Sequence, residues 1–277
     1  MLAALGDLVE DIAIRVDDPV NVASDTAASI DRRRGGSAAN VAVMASRLGH
    51  ACRFLGQVGD DLIGAALIAE LEAEGVDASL VRRAGRTGTI VVLVDPTGER
   101  SMLTDRASCL ALDRPSEAWL DSVTTLHVPM YSLAIDPLAA TATTVIGWAH
   151  DRDVAVSIDV SSVALIEQVG VSGVLSMLDE LRPSVVLANE IEAAALGVQG
   201  PLCEAITVVK QGPDPVVVFA GDDRFDVPTT PVERGADTTG AGDAFAAGFL
   251  TADWRVDLVA ACRSGHGAAA RALRSHR

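Results

Sequence analysis

Asp237-Thr238-Thr239-Gly240-Ala241-Gly242-Asp243-Ala244-Phe245 is the stretch on which the reading of this chain turns. Pro228 to Ala236 leads into it as an irregular, partly extended segment, and Ala244 to Thr251 leaves it as an apolar run of helical character. The Gly-Ala-Gly turn therefore falls where a helix begins. A helix start leaves backbone N–H groups without intrahelical partners and carries a partial positive charge. Glycines let that backbone come close to an anion, so Gly240, Ala241 and Gly242 have the makings of a phosphate cradle. Asp243 lies in the same first turn. A carboxylate beside a phosphate site is repelled by it unless it has a task of its own, such as accepting the proton of a hydroxyl that attacks the phosphate. In isolation, the more ordinary reading is a tight strand-to-helix turn with a capping aspartate.

A second glycine segment stands near the N-terminus. Gly35-Gly36-Ser37-Ala38-Ala39-Asn40 follows Arg32-Arg33-Arg34 and opens an amphipathic helix. The diglycine permits unusual dihedrals and can act as a hinge. Asn40, in the first turns, offers a donor and an acceptor to a ligand hydroxyl. Alone, these residues read as a loop and a helix start, and the three arginines as a solvated face.

Between the two segments the chain alternates strand and helix. Val154–Asp159, Ser184–Leu187, Ala205–Val209 and Val216–Ala220 are β-rich, and Pro137–His150, Leu175–Leu181 and Glu190–Leu196 are helical in pattern. Near-continuous apolar strands separated by helices imply a mostly parallel sheet covered on both faces. The first third differs. Asp11–Val16, Ala27–Arg34, Thr89–Val94 and Arg100–Thr104 are β-pieces, the last two flanking the turn Asp95-Pro96-Thr97-Gly98-Glu99. They predict a small separate sheet, with helices at Ala38–Leu48 and Leu62–Ala73 between its halves.

Composition bounds the function. The 277 residues are 49 % hydrophobic, enough for a large core, but only 3 % aromatic, so that core is built from Ala, Val, Leu and Ile. Lys and Arg number 22 against 38 Asp and Glu, a net charge of −16. That balance argues against nucleic-acid or anionic-membrane partners, though a local site can still hold one small anion. Cys52, Cys109, Cys203 and Cys262 show no metal-motif spacing and read as reduced thiols of a cytoplasmic protein. No basic leader and no apolar run of ~20 residues predicts a signal peptide or a membrane span.

Together the two glycine segments resemble the ribokinase-like (PfkB) family of carbohydrate and nucleoside kinases. Its N-terminal signature, Gly-Gly through Asn to Arg-Leu-Gly, stands here as Gly35 to Asn40 and Arg47-Leu48-Gly49, and its C-terminal signature as Asp237 to Phe245. Gly6-Asp7 with Asp11, Gly56-Gln57-Val58-Gly59-Asp60-Asp61 with Gly64, and Asn189-Glu190-Ile191-Glu192 match in family order. The resemblance implies one doubly wound α/β domain over residues 1–277, with a mostly parallel sheet flanked by helices. It also implies a small β-sheet lid from segments near 12–34 and 87–104. The implied reaction moves the ATP γ-phosphoryl group to a substrate hydroxyl. Asp243 is the implied base and Gly240, Ala241 and Gly242 the anion hole. Asp11, Gly36, Asn40, Thr89 and Arg106 are the implied substrate contacts. Asn189, Lys210, Gly212, Thr238, Gly240, Gly242, Gly265 and His266 are the implied nucleotide contacts. Asn189 and Glu192 would organise Mg²⁺ through water, as suits an ion that keeps its waters. A monovalent cation such as K⁺ is a further implied cofactor. A homodimer through the lid and a monomer both remain open.

The bland readings stand beside these. Asn189 and Glu192 form an ordinary helix cap, and His266 a packed histidine. Three departures from the family bear on substrate and nucleotide. Ser37 stands where ribokinases usually carry Lys, Pro213-Asp214-Pro215 replaces a glycine-bearing loop, and Asp159-Val160-Ser161-Ser162 lacks the family's frequent Asn and Arg. A small sugar or sugar derivative is the leading substrate. A nucleoside, including pseudouridine-type substrates, is the alternative, disfavoured because Phe54 is the single aromatic between Asp7 and Thr104. Phosphorylated sugars are a third option, with Arg32–Arg34 or Arg106 as phosphate partners. A non-catalytic sugar- or nucleotide-binding relative is the reading from another class. A dinucleotide oxidoreductase is disfavoured because no Gly-x-Gly-x-x-Gly follows the first strand.

Overall fold

The computed structural model describes residues 1–229 and 238–275; Asp237 and most of the approach to it lie outside the described residues. The chain begins β1 (Leu2–Leu5), β2 (Val9–Arg15), β3 (Ser29–Gly35), α1 (Ser37–Arg47), β4 (Cys52–Leu55), β5 (Gln57–Val58) and α2 (Leu62–Ala73). It continues β6 (Arg82–Arg83), β7 (Thr89–Val94), β8 (Arg100–Asp105), β9 (Thr125–Pro129), α3 (Leu138–His150), β10 (Ala155–Asp159), α4 (Val163–Val169) and α5 (Val171–Leu181). It ends β11 (Val185–Asn189), α6 (Glu190–Leu196), β12 (Ile206–Lys210), β13 (Val216–Ala220), β14 (Asp223–Val227), α7 (Ala241–Thr251) and α8 (Leu258–Ser275).

Eight strands form the main sheet in the order β4-β1-β9-β10-β11-β12-β13-β14. The first six pair in parallel, and β13 and β14 extend the edge antiparallel. Helices cover both faces of the parallel strands, which are largely apolar and buried, whereas the edge strand β14 is polar and mostly exposed. Along β1, Ala3 and Leu5 enter one core with α3 and α5, while Leu2 and Ala4 enter the other with α1 and α7. Small side chains set the second core's spacing. A Cβ at Gly248 of α7 would lie 2.6 Å from the Ser264 carbonyl oxygen of α8, so these helices approach at backbone distance. The order of connection reverses at β1, whose neighbours β4 and β9 are reached in opposite directions. In such sheets the crevice at the strands' carboxyl ends is the ligand site.

The small sheet has the order β3-β2-β7-β8, with β2 and β7 parallel and the outer pairs antiparallel. Its strands lie close to the expected segments. The register puts Ile12, Ile14, Ile30, Val91, Leu93 and Leu103 on one face. Ile30 and Leu103 are 59 % and 61 % exposed there. The opposite face carries Ile90, Val92 and Val94, which are buried with Val9 and Cys109.

The Gly59–Gly64 match has a structural reason. Asp61 Oδ1 caps the Gly64 N–H of α2 at 2.8 Å and accepts the Thr87 hydroxyl at 2.6 Å; its Oδ2 accepts the Thr87 N–H at 2.8 Å. Thr87 Oγ1 in turn accepts the Gly59 N–H at 3.0 Å. A Cβ on Gly59 would lie 2.1 Å from the Thr87 nitrogen, so only glycine permits this knot between α2 and β7. These hydrogen bonds, the Thr87 hydroxyl first, hold the Asp61 carboxyl below its ordinary pKa.

Candidate active site

The N-termini of α1 and α7 meet over the carboxyl ends of the main strands. Gly240 caps α7 in the left-handed region, φ 76°, where a Cβ would be strained. Ala241 opens the helix and Asp243 lies in its first turn, as the sequence predicts. Gly36 caps α1 at φ 103°, and a Cβ there would lie 2.1 Å from the Asp7 carbonyl oxygen. The diglycine thus brings α1 against the turn that leaves β1.

Two α1 side chains reach across to α7. Ser37 Oγ donates to Asp243 Oδ1 at 2.7 Å, and Asn40 Nδ2 donates to Asp243 Oδ2 at 2.9 Å. Burial pushes the Asp243 pKa up to about 6, against the pull of these two donors. From the sheet, Asp159 at the end of β10 raises it further and Lys210 at the end of β12 lowers it. Lys210 Nζ is 2.6 Å from Asp159 Oδ2 and would be 3.6 Å from a Cβ on Gly242, which places this cation beside the glycine turn. Burial opposes the Lys210 charge, but Asp159, with Glu192 and Asp243, outweighs it, and its pKa is raised. Asp159 Oδ1 accepts the N–H of Ser161, a residue at φ 67°, so the turn that lacks the family's Asn and Arg instead fixes a carboxylate on Lys210.

Asn189 and Glu192 form a reciprocal capping box on α6. Asn189 Oδ1 accepts the Glu192 N–H at 2.9 Å, and Glu192 Oε2 accepts the Asn189 N–H at 2.8 Å. The bland reading of this pair is therefore realised, and it leaves Glu192 Oε1 and the Asn189 Nδ2 amide outside the capping box. Burial, then Asp159, raises the Glu192 pKa. Among the described residues no cluster of three or more His, Cys, Asp or Glu side chains could hold a metal ion. The donor set fits a magnesium ion that keeps its waters, held at one remove, rather than a protein cage.

The small sheet borders the α7 turn, where Arg100 Nη1 of β8 donates to Thr239 Oγ1 at 3.0 Å. Buried Asp7 accepts Arg106 Nε at 2.6 Å through Oδ2, and the guanidinium lies 4.3 Å from the Tyr131 ring centroid. Asp7 Oδ1 and Asp11 Oδ1 are buried without a hydrogen-bond partner, and burial raises both carboxyls' pKa values. Buried acceptors in that state call for a donor, from water or from a ligand. Gly35 admits Asp11, since a Cβ there would lie 2.1 Å from Asp11 Oδ1. Thr89 is half-buried at the start of β7, opposite Glu10 and Asp105.

The remaining expected nucleotide residues fall at the periphery. Thr238 is exposed, and its carbonyl accepts the Ala241 N–H. Gly212 is in the turn after β12 at φ 59°. Gly265 and His266 lie in α8. A Cβ on Gly265 would lie 2.8 Å from the Phe245 ring, and the His266 ring centroid is 5.4 Å from that ring. Helix packing accounts for Gly265, whereas both ring nitrogens of His266 are buried without a hydrogen-bond partner among the described residues, and burial lowers its pKa. Sequence reasoning passed over Asp7, Ser37 and Asp159 as site residues, and offered Arg34 only within Arg32–Arg34 as a partner for a phosphorylated sugar. Asp7 and Ser37 stand within the glycine motifs, whereas only tertiary structure pairs Asp159 with Lys210.

A doubly wound sheet, a small accessory sheet and a glycine-capped helix bearing Asp243 over the switch-point crevice define a ribokinase-like kinase fold. The chain belongs to the pfkB family carbohydrate kinases, whose sequence model matches residues 1–277, and it is a phosphotransferase. It is 35 % identical over 259 residues to the ATP-dependent ribose-1-phosphate kinase of Halopiger xanaduensis, covering 89 % of this chain and 82 % of that one. An uncharacterised sugar kinase of Pyrococcus horikoshii, solved in complex with ATP, is 25 % identical with a TM-score of 0.83, covering 99 % and 92 % of the two chains. Adenosine kinase of Sinorhizobium meliloti shares the fold at a TM-score of 0.83 and 23 % identity, covering 100 % and 99 %. No helix among the described residues is long and apolar enough to cross a membrane.

Proposed function

We propose that this chain transfers the γ-phosphoryl group of ATP to a hydroxyl of a small sugar or sugar derivative, with Asp243 as general base. The observation that carries this reading is the Asp243 carboxyl itself. It is held in the first turn of a glycine-capped helix, with a pKa pushed up to about 6 by burial. A base near neutrality both accepts a proton readily and is ionised when needed. The N–H groups of the Gly240–Gly242 turn would face the charge that builds on the transferred group, that of Ala241 by exchanging the Thr238 carbonyl for the phosphoryl oxygen. Lys210, beside Gly242, adds a fixed positive charge. Asp7 and Asp11 would accept sugar hydroxyls, and Asn40, Gly36, Thr89 and Arg106 would be further substrate contacts. Asn189 and Glu192 would hold Mg²⁺ through water, and the ion would screen the charge between the phosphates and this acidic chain. The adenine end would lie near Gly212, Thr238 and α8. The stronger case for a sugar over a nucleoside is the pair of orphaned carboxylate oxygens in a crevice poor in aromatic rings.

A phosphorylated pentose is the second reading, favoured by the 35 % identity to the ribose-1-phosphate kinase. ADP release over sugars, sugar acids, sugar phosphates and nucleosides separates these substrates. Silence across the panel, with no ATP binding by calorimetry, would sink the kinase reading. Asp243→Asn is expected to lower turnover by about 10²–10⁴-fold with ATP affinity kept.

The same reading includes a monovalent cation, tested by rates in K⁺ against Na⁺. It also includes a lid-to-lid dimer, supported by the open apolar face around Ile30 and Leu103 and tested by light scattering. A cytoplasmic setting is supported by four free cysteines, and a fractionation experiment tests it.

A further inference from the structure

The three arginines before the diglycine do not share one environment. Arg32 is 63 % exposed and pairs with Glu10 across the small sheet. The Arg34 side chain is only 10 % exposed. Its Nη1 donates to Asn40 Oδ1 at 2.7 Å, and its Nε donates to Glu70 Oε1 at 3.2 Å. Asn40 then donates through Nδ2 to Asp243 Oδ2 at 2.9 Å. A chain of hydrogen bonds therefore runs from α2, through the last turn of β3 and α1, to the carboxylate of α7.

The amide in the middle has two orientations, related by exchange of its oxygen and nitrogen. Reversed, it would set an acceptor against the Asp243 carboxylate and a donor against the guanidinium. A cation on one side and an anion on the other select the same orientation, and both bonds are charge-assisted. Without Arg34, the carbonyl end of Asn40 would lose the partner that commits it, and the amide could turn toward a sugar hydroxyl or away from the base.

We propose that Arg34 is a positioning residue that acts on Asp243 through Asn40, fixing the amide so that its donor faces the carboxylate that receives the acceptor's proton. This rests on the reading of Asp243 as the base. The groups around that carboxylate are Ser37 and Asn40 from α1, Asp159 from β10 and Lys210 from β12, with His266 of α8 packed one residue away on Phe245. Arg34 itself is faced by Glu70, Arg47 and Glu74. Asn40 supplies one of the two donors that hold the Asp243 pKa down against burial. Because Arg34 belongs to β3, the position of the small sheet and the geometry of the base are set by one set of contacts.

The test is a double-mutant cycle of Arg34→Met and Asn40→Ala, with Arg34→Lys and Asp243→Asn alongside. Each variant is assayed with MgATP and the best acceptor of the substrate panel. Glu70 is half-exposed, so loss of Arg34 strands no deeply buried charge, and thermal melts check that each variant folds. Arg34→Met is expected to lower kcat by roughly tenfold or more, the scale of a misplaced catalytic group, while KM for ATP stays unchanged. It also moves the acid limb of kcat/KM to higher pH. Arg34→Lys, which keeps the charge and one donor, restores part of the rate. In the Asn40→Ala background Arg34→Met costs nothing further, because the coupling runs through the amide. Losses that multiply in the double variant, or a wild-type rate and pH profile in Arg34→Met, overturn the proposal while leaving the base reading in place. Near-normal turnover of Asp243→Asn is the separate result that removes the base reading and this proposal with it. If Arg34→Met does not fold, the same cycle is read with Arg34→Lys.

Discussion

Ser37 Oγ donates to Asp243 Oδ1 across 2.7 Å, so a hydroxyl of the protein stands on the carboxylate that the proposed reaction offers to the acceptor hydroxyl. The bond lowers the Asp243 pKa against the larger effect of burial. Ser37→Ala should therefore raise that pKa above about 6 in the free enzyme. The acid limb of kcat/KM, which reports the free enzyme, should move to higher pH. The limb of kcat should move less, because the acceptor hydroxyl takes the place of Ser37 in the complex. Steady-state profiles across the acid side of neutrality measure both. Equal displacement of the two limbs would mean that Ser37 stays on the base throughout turnover.

The Asp243 carboxyl carries a stability cost that follows from its burial. Its pKa rises from an ordinary 3.8 to about 6 on folding. A raised carboxyl pKa contributes stability that is full below 3.8 and is lost as pH climbs through about 6. Above that range the native state is weakened by at most about 3 kcal/mol. Asp243→Asn removes the ionisation, so it should raise Tm at neutral and alkaline pH while abolishing turnover. The gain should shrink as pH falls through 6 and vanish near 3.8. Melts of both proteins over that range check the sign. A variant less stable than wild type at pH above 6 would contradict it.

The gross architecture was legible because each level of the sequence agreed with the next. The glycine at 240 is needed for a left-handed cap, the apolar run after it forms α7, and the apolar stretches Val154–Asp159 and Val216–Ala220 became β10 and β13 with few changes of bound. Short strands without strong alternation, such as Leu2–Leu5 and Thr125–Pro129, were not read, because four or five apolar residues fit a helix segment equally well. The site was legible where a local motif carries it, as at Asn40 and Asp243. It was not legible at Asp159, which meets Lys210 only across the intervening strand β11, nor in the contact of Arg34 with Asn40. Arg34 shares its sequence context and its face of β3 with the exposed Arg32, and the difference between them is that Arg34, next to the strand's end, reaches Glu70 of α2 and Asn40 of α1.

Gly36 tests how closely α1 must approach β1. Alanine there would place a Cβ 2.1 Å from the Asp7 carbonyl oxygen at a φ of 103°. Backbone cannot yield as a flexible side chain can, so the helix start must shift, carrying Ser37 and Asn40 away from Asp243. Gly36→Ala should cost at least about 1–3 kcal/mol in denaturant unfolding, the range of strained backbone. Whatever protein folds should lose most of its turnover. Gly240→Ala meets no atom within 4 Å, so it should show the conformational strain without the clash and be the milder of the two.

The buried pair of Lys210 and Asp159 separates a structural charge from a chemical one. Lys210 Nζ and Asp159 Oδ2 are 2.6 Å apart, with side chains only 14 % and 9 % exposed. Removing one partner of such a pair leaves an uncompensated buried charge and costs about 3–5 kcal/mol, whereas removing both is often close to neutral. Lys210→Met should therefore destabilise strongly, and Asp159→Asn added to it should recover most of the loss in chemical denaturation. Turnover should not recover with it, because the charge beside Gly242 is gone from both variants. Near-wild-type kcat in the double variant would show that Lys210 serves only to neutralise Asp159, and that the glycine turn holds the phosphoryl group without it.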